Sequence, residues 1–153
     1  MITEHDVEQA QKQWGSAIVR IGSLVEDQDR CRQEACEALQ QLYAFEESTG
    51  CLFKPTKARD VPFRNTYAAA LSYFVGEDPN FPEDHGFARN PWKSVRFKNS
   101  GFLLFEETSL AMGHYWFQDN AGEEIRVEYT FGYLRNRFNQ MKISLHHSSL
   151  PFS

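Results

Sequence analysis

Cysteine is scarce in this chain, and the three present, Cys31, Cys36 and Cys51, form no Cys-x-x-Cys pair. An odd number at irregular spacing excludes a disulfide framework and a zinc knuckle. Buried thiols in a reducing compartment are expected instead. Positive charge is also in deficit, with 16 Lys and Arg against 21 Asp and Glu. A net charge of -5 argues against nucleic acid, because phosphate binding needs a basic surface. No stretch comes near the roughly 20 apolar residues of a membrane-spanning helix. The opening Met1–Asp6 is acidic and has no apolar signal core, so a cytoplasmic protein is expected. Internal repeats, low-complexity tracts and linkers are missing as well.

What is present suits one globular domain over residues 1–153, with 41% hydrophobic and 24% charged residues. Thirteen of the residues are Phe, and this density of aromatics predicts an aromatic-lined cavity or sheet face.

Thr3 and Asp6 have the spacing of a helix cap. Val7, Ala10, Trp14, Ala17, Ile21 and Leu24 then recur at steps of three and four, which predicts a helix over about Thr3–Val25. Gly15 and Gly22 fall on one side of it, a pattern that suits either close approach of another element or merely tolerated glycines. A second helix is expected over Gln28–Phe45 and a third over Asn65–Val75. Between them Cys51–Thr56 is extended, with Pro55 barring a central strand at that point. Glu77–Pro91, with three prolines, is a long loop of the kind that forms lids or pocket walls. Strands are expected at Trp92–Lys98, Gly101–Glu106, Ser109–Gln118, Glu124–Arg135 and Met141–Ser148. Helices first and an antiparallel meander last make an α+β domain, with the helices on one side of a strongly curved sheet. A pocket would lie between them, and the convex face would be free for dimerisation.

The most suggestive local feature is Leu145-His146-His147-Ser148-Ser149. On a strand, His146 and Ser148 share one face, while His147 falls with Ile143 and Leu145 on the other. The two histidines therefore cannot ligate one metal from a regular strand, and His5, His85 and His114 form no ligand pair. An imidazole beside a hydroxyl can orient water or an oxyanion, although a polar, solvent-facing strand edge fits the same residues. Asp84-His85 reads as a loop hydrogen bond rather than a catalytic dyad, and no Gly-x-Ser-x-Gly elbow is present.

Taken together, several segments resemble the iota-class carbonic anhydrases, a family related to the association domain of calmodulin-dependent kinase. They run in order along nearly the whole chain: Trp14-Gly15 with Ile21-Gly22, Leu52–Ala58, Phe63-Arg64, Leu71–Gly76, Glu83-Asp84 with Gly86–Ala88, Pro91-Trp92, Met112-Gly113 with Tyr115, Val127–Tyr133 and Leu145–Pro151. The closing His-His-Ser-Ser-x-Pro run is the most specific. The resemblance implies a cone-shaped fold like that of nuclear transport factor 2, a homodimer, and hydration of carbon dioxide to bicarbonate with no metal cofactor. It also implies a pocket lined by Thr56, Tyr73, His146 and Ser148. The loop Arg135–Asn139 departs from the acidic, Gly-containing turn of relatives, and Phe152 stands where many have Tyr.

Carbon dioxide is small and apolar, so an apolar wall is expected, and Phe53, Phe74, Trp92 and Tyr129 are its candidates. His146 would serve as proton acceptor or relay, and Thr56, Tyr73 and Ser148 would position water and stabilise the product oxygens. Two other readings stay open at this level. One is a non-catalytic oligomerising module. The other is isomerase or cyclase chemistry, which usually employs an Asp or Glu base in the cavity.

Overall fold

A computed structural model describes residues 1–153, with three helices preceding most of a five-stranded sheet. Helix α1 spans Glu4–Ser23. Thr3 caps it reciprocally with Asp6, each side chain accepting from the other's backbone N–H (2.9 and 3.1 Å). Helix α2 spans Gln28–Leu42 and stops three residues short of the expected Phe45, because Tyr43 turns extended and bridges to Ile143. Helix α3 spans Tyr67–Val75, capped by Thr66 and ended by Gly76.

Strand β1 (Leu52–Lys54) is short and pairs parallel to β5 (Met141–Ser149). β2 (Ser94–Leu104), β3 (Thr108–Gln118) and β4 (Glu124–Arg135) complete the order β1-β5-β4-β3-β2, with every pair except β1–β5 antiparallel. This is the expected α+β architecture, and the sheet is open rather than closed into a barrel.

Two β-bulges account for departures from the expected pattern. The strands anticipated at Trp92–Lys98 and Gly101–Glu106 are one strand, β2, whose register slips between Asn99 and Gly101. Inward positions change there from Val95, Phe97 and Asn99 to Phe102 and Leu104, and a phase change of this kind mimics a strand break. Opposite the bulge lies Gly113, where a Cβ would stand 2.1 Å from the Lys98 carbonyl oxygen, so only glycine fits. The second bulge skips Ser144, pairing Gly132 with Leu145 but Tyr133 with Ile143. Ile143 consequently faces the core with His146, not outward with His147 as strict alternation implies.

The core is an aromatic cluster between α1 and the sheet. Trp14 sits at its centre, 5.5 Å from the rings of Tyr115 and His146 and about 6 Å from Phe97, Phe117 and Phe131. Such edge and offset contacts each contribute roughly 0.5–1.5 kcal/mol beyond area burial. Both glycines of α1 are approach points: a Cβ at Gly15 would touch Val95 at 3.3 Å, and one at Gly22 would meet the Ala88 carbonyl at 3.0 Å. The close-approach reading of that pair therefore holds. Cys31 and Cys51 are buried, Cys36 is half-buried, and all three are free.

Candidate active site

Four elements deliver the polar groups. β5 presents His146 and Ser148 inward, both almost fully buried. β1 hooks onto β5 with Phe53 opposite His146. Pro55 then ends the strand, having no N–H to pair, and the next residue, Thr56, meets Ser148: their hydroxyl oxygens are 2.6 Å apart. The Lys54 ammonium secures this junction by donating to the Ser148 carbonyl (2.9 Å). From β3, the Tyr115 hydroxyl lies 2.6 Å from Ser148 Oγ and 3.0 Å from His146 Nε2. Beyond α2, the Tyr43 hydroxyl lies 2.8 Å from His146 Nδ1 and accepts from the Trp14 indole N–H at 2.9 Å.

These contacts form one chain with a fixed direction. The Trp14 indole can only donate, so the Tyr43 proton goes to His146 Nδ1. The imidazole then carries its proton on Nε2 and donates to Tyr115. Tyr115 donates to Ser148, Ser148 donates to Thr56, and the Thr56 proton is left free to donate. Phe53 and Phe131 stack on the two sides of the imidazole (4.9 and 4.1 Å), which fixes its plane.

Burial, helped by the nearby charge of His147, pushes His146 down from 6.5 to about 3. It is therefore held neutral at physiological pH, with Nδ1 already engaged by the Tyr43 hydroxyl. Burial likewise raises the hydroxyls of Tyr43, Tyr73 and Tyr115 well above the ordinary phenol value, so all three stay protonated. The histidine shift has a consequence for stability. Below pH 6.5 the unfolded chain gains a proton that the folded chain refuses until about pH 3. Stability contributed at this position is therefore complete above 6.5 and falls between 6.5 and about 3, by up to about 1.4 kcal/mol per pH unit. Urea unfolding of the protein and of His146→Gln from neutral to acid pH should show this slope in the former and its reduction in the latter.

A cavity of about 220 Å³ opens beside the chain, lined by Tyr73, Phe87, Trp92, Asn90, Lys57 and the loop Glu83–Gly86. Tyr73 lines the cavity and accepts from the Lys57 N–H (3.2 Å), which leaves its own O–H free to donate. An outer vestibule of about 640 Å³ continues from it, bordered by Thr56 through Asp60, Pro82, Glu83 and His85. Of the expected apolar residues, Trp92 lines the inner cavity and Phe53 backs His146. Phe74 stacks behind Phe53 (5.7 Å) and touches a separate apolar crevice between α1, α2 and α3. Tyr129 packs on Tyr115, but its hydroxyl bonds to Asn99 and Gln11, away from the cavity.

Asp84 does not bond His85. Its carboxylate is held by Arg64 through two bonds (2.7 and 2.8 Å) and by Ser72 (2.6 Å), and both charged groups are buried. Neighbouring Glu83 accepts from the backbone N–H groups of Arg59, Asp60 and Val61, which hold its carboxyl below the usual range. The two carboxylates staple the Thr56 loop to the wall of the cavity. No group of three or more His, Cys, Asp or Glu side chains is placed to hold a metal ion.

Tyr115 and Tyr43 were missed from sequence. Tyr115 lies in the inward phase of β3 with Ala111 and Phe117, and the polar tip of such a buried Tyr needs a partner. That requirement was the available signal.

A family model described as metal-independent carbonic anhydrase matches residues 5–150. A metal-independent carbonic anhydrase from Nostoc sp. (strain PCC 7120) is 37% identical over 154 residues, covering 99% of this chain and 75% of the relative. The crystal structure of an iota-carbonic anhydrase from a cyanobacterium, complexed with bicarbonate, superposes with a TM-score of 0.96 at 37% identity, over 99% of this chain and 94% of that one. A nuclear transport factor 2-like protein from Pseudomonas putida, at 14% identity and a TM-score of 0.57 over 98% of this chain and 87% of that one, shares the fold alone. The chain belongs to the metal-independent carbonic anhydrase family.

Proposed function

We propose that this carbonic anhydrase hydrates carbon dioxide without a metal, at the junction where the Thr56 hydroxyl borders the outer vestibule and the Tyr73 hydroxyl lines the inner cavity. The observation that carries this reading is the unbroken hydrogen-bond chain from Trp14 to Thr56. Every donor along it points toward Thr56 at the edge of the vestibule, so it ends in an O–H suited to an oxyanion. With the Tyr73 O–H, it offers two preorganised donors to the negative charge that develops as a water oxygen bonds to the carbon of carbon dioxide. Ser148 and Tyr115 transmit the alignment, and neutral His146 sets its direction. Trp92 and Phe87 supply the apolar wall that a nonpolar gas prefers.

Binding of bicarbonate by the cyanobacterial relative supports the same product here. The isomerase reading requires a free carboxylate in the cavity, whereas Glu83 and Asp84 are both engaged. No helix is long and apolar enough to cross a membrane, and we read the enzyme as a cytoplasmic homodimer of one domain. Exposed Leu103, Leu110 and Met112 on the outward sheet face favour docking of a second copy.

The test is stopped-flow hydration of carbon dioxide before and after exhaustive chelation. Equal rates are expected. Loss on chelation, reversed by one added metal, would overturn the metal-free mechanism.

A further inference from the structure

Hydration releases one proton for every bicarbonate formed, and the groups nearest the chemistry are poorly suited to carry it away. His146 is buried and held neutral, and the phenols of Tyr73 and Tyr115 are already protonated. The hydroxyl chain ends at an indole that cannot accept. The proton therefore has to leave through the cavity.

Five charged residues border the cavity and vestibule: Lys57, Arg59, Asp60, Glu83 and Asp84. Carboxylates as a class titrate several units below neutrality, and ammonium and guanidinium groups several units above it. Glu83 and Asp84 are in addition committed to backbone N–H groups and to Arg64. His85 is the one imidazole on either wall, and it lines both spaces. Its backbone is held, since a Cβ at Gly76 would lie 3.3 Å from its carbonyl carbon, while its side chain is exposed. An imidazole in water gains and loses a proton near neutral pH, as a relay requires.

We propose that His85 is the exit relay for the proton of hydration, collecting it from water in the inner cavity and passing it to buffer in the vestibule. The balance is simple. Water forms a C–O bond to carbon dioxide and loses one O–H proton, which passes through cavity water to the imidazole nitrogen. The imidazolium then gives that proton to a buffer base, and the neutral imidazole returns. The cavity has space for this, as one water takes about 30 Å³ of liquid volume. The proposal rests on the active-site reading above.

The experiment is stopped-flow hydration by His85→Ala in dilute buffer, then with added imidazole. A relay sets turnover but not the attack on carbon dioxide. The expected result is therefore a fall in kcat of about tenfold or more, an unchanged kcat/KM, and recovery of kcat by imidazole. An unchanged kcat in dilute buffer would overturn the relay, and so would a parallel loss of kcat and kcat/KM that imidazole does not repair. Failure of the active-site reading looks different: the unmodified protein would lack hydration activity, or would keep it fully in Ser148→Ala.

Discussion

Replacing Ser148 with Ala is expected to lower kcat for carbon dioxide hydration by about 10²–10³, the usual effect of losing one oxyanion-directed donor. Ser148 Oγ is the only bridge between Tyr115 and Thr56, at 2.6 Å to each. Without it the Thr56 proton no longer has an imposed direction and is free to turn back toward the protein. The buried Tyr115 hydroxyl also loses the acceptor for its proton, at a cost of about 1–3 kcal/mol in stability. The two effects separate by measurement, because thermal unfolding reports the second and steady-state hydration the first. A variant that folds and turns over within about twofold of the original would remove Ser148 from the mechanism, since a lost donor of this kind costs far more.

The second large effect is expected at Asp84, whose carboxylate is committed to Arg64 and Ser72. Asp84→Ala leaves Arg64 as a buried cation without its main partner, and breaking such a pair costs about 3–5 kcal/mol. For a chain of this size that is a fall in Tm of roughly 6–20 °C. Arg64 keeps its bonds to the Val61 and Ala69 carbonyls and its stack on Phe81, so the fold is weakened rather than abolished. Because the same arginine lies beside Glu83, which ties down Arg59–Val61, the loop bearing Thr56 should loosen and hydration should fall with stability. The double variant Arg64→Met/Asp84→Ala should be more stable than Asp84→Ala alone, as the stranded charge is then gone. If the double variant is the less stable of the two, the pair is not the source of the loss.

Much of this was legible in the residues. The stripe through Val7, Trp14 and Ile21 gave α1, and the alternation along Ile125–Tyr133 gave the inward face of β4, since both depend on local periodicity. His146 and Ser148 were placed on one face by the same rule. Local rules failed where pairing partners decide the outcome. The slip at Ser100 looks like a gap between strands until β3 is laid beside it. Tyr115 and Tyr43 look like ordinary core residues until the imidazole between them is seen. The pairing of Asp84 with Arg64 rather than His85 depends on the loop folding back over α3, which no spacing announces. The likeness to a known family supplied Thr56 and Tyr73, which composition and periodicity alone would not have chosen.

The skipped residue at Ser144 bears on how such chains can be compared and altered. It lets one strand serve two masters, with an odd-numbered side chain filling the hydrophobic interior near its start and even-numbered ones building the reaction centre near its end. Of two consecutive imidazoles, the one that enters the protein is selected by this offset and not by its own chemistry. Pairing this strand regularly with Ser144 retained would force a choice between a vacancy beneath Tyr133 and the wrong histidine beneath Trp14, so the offset is as much a determinant of activity as the side chains it sorts.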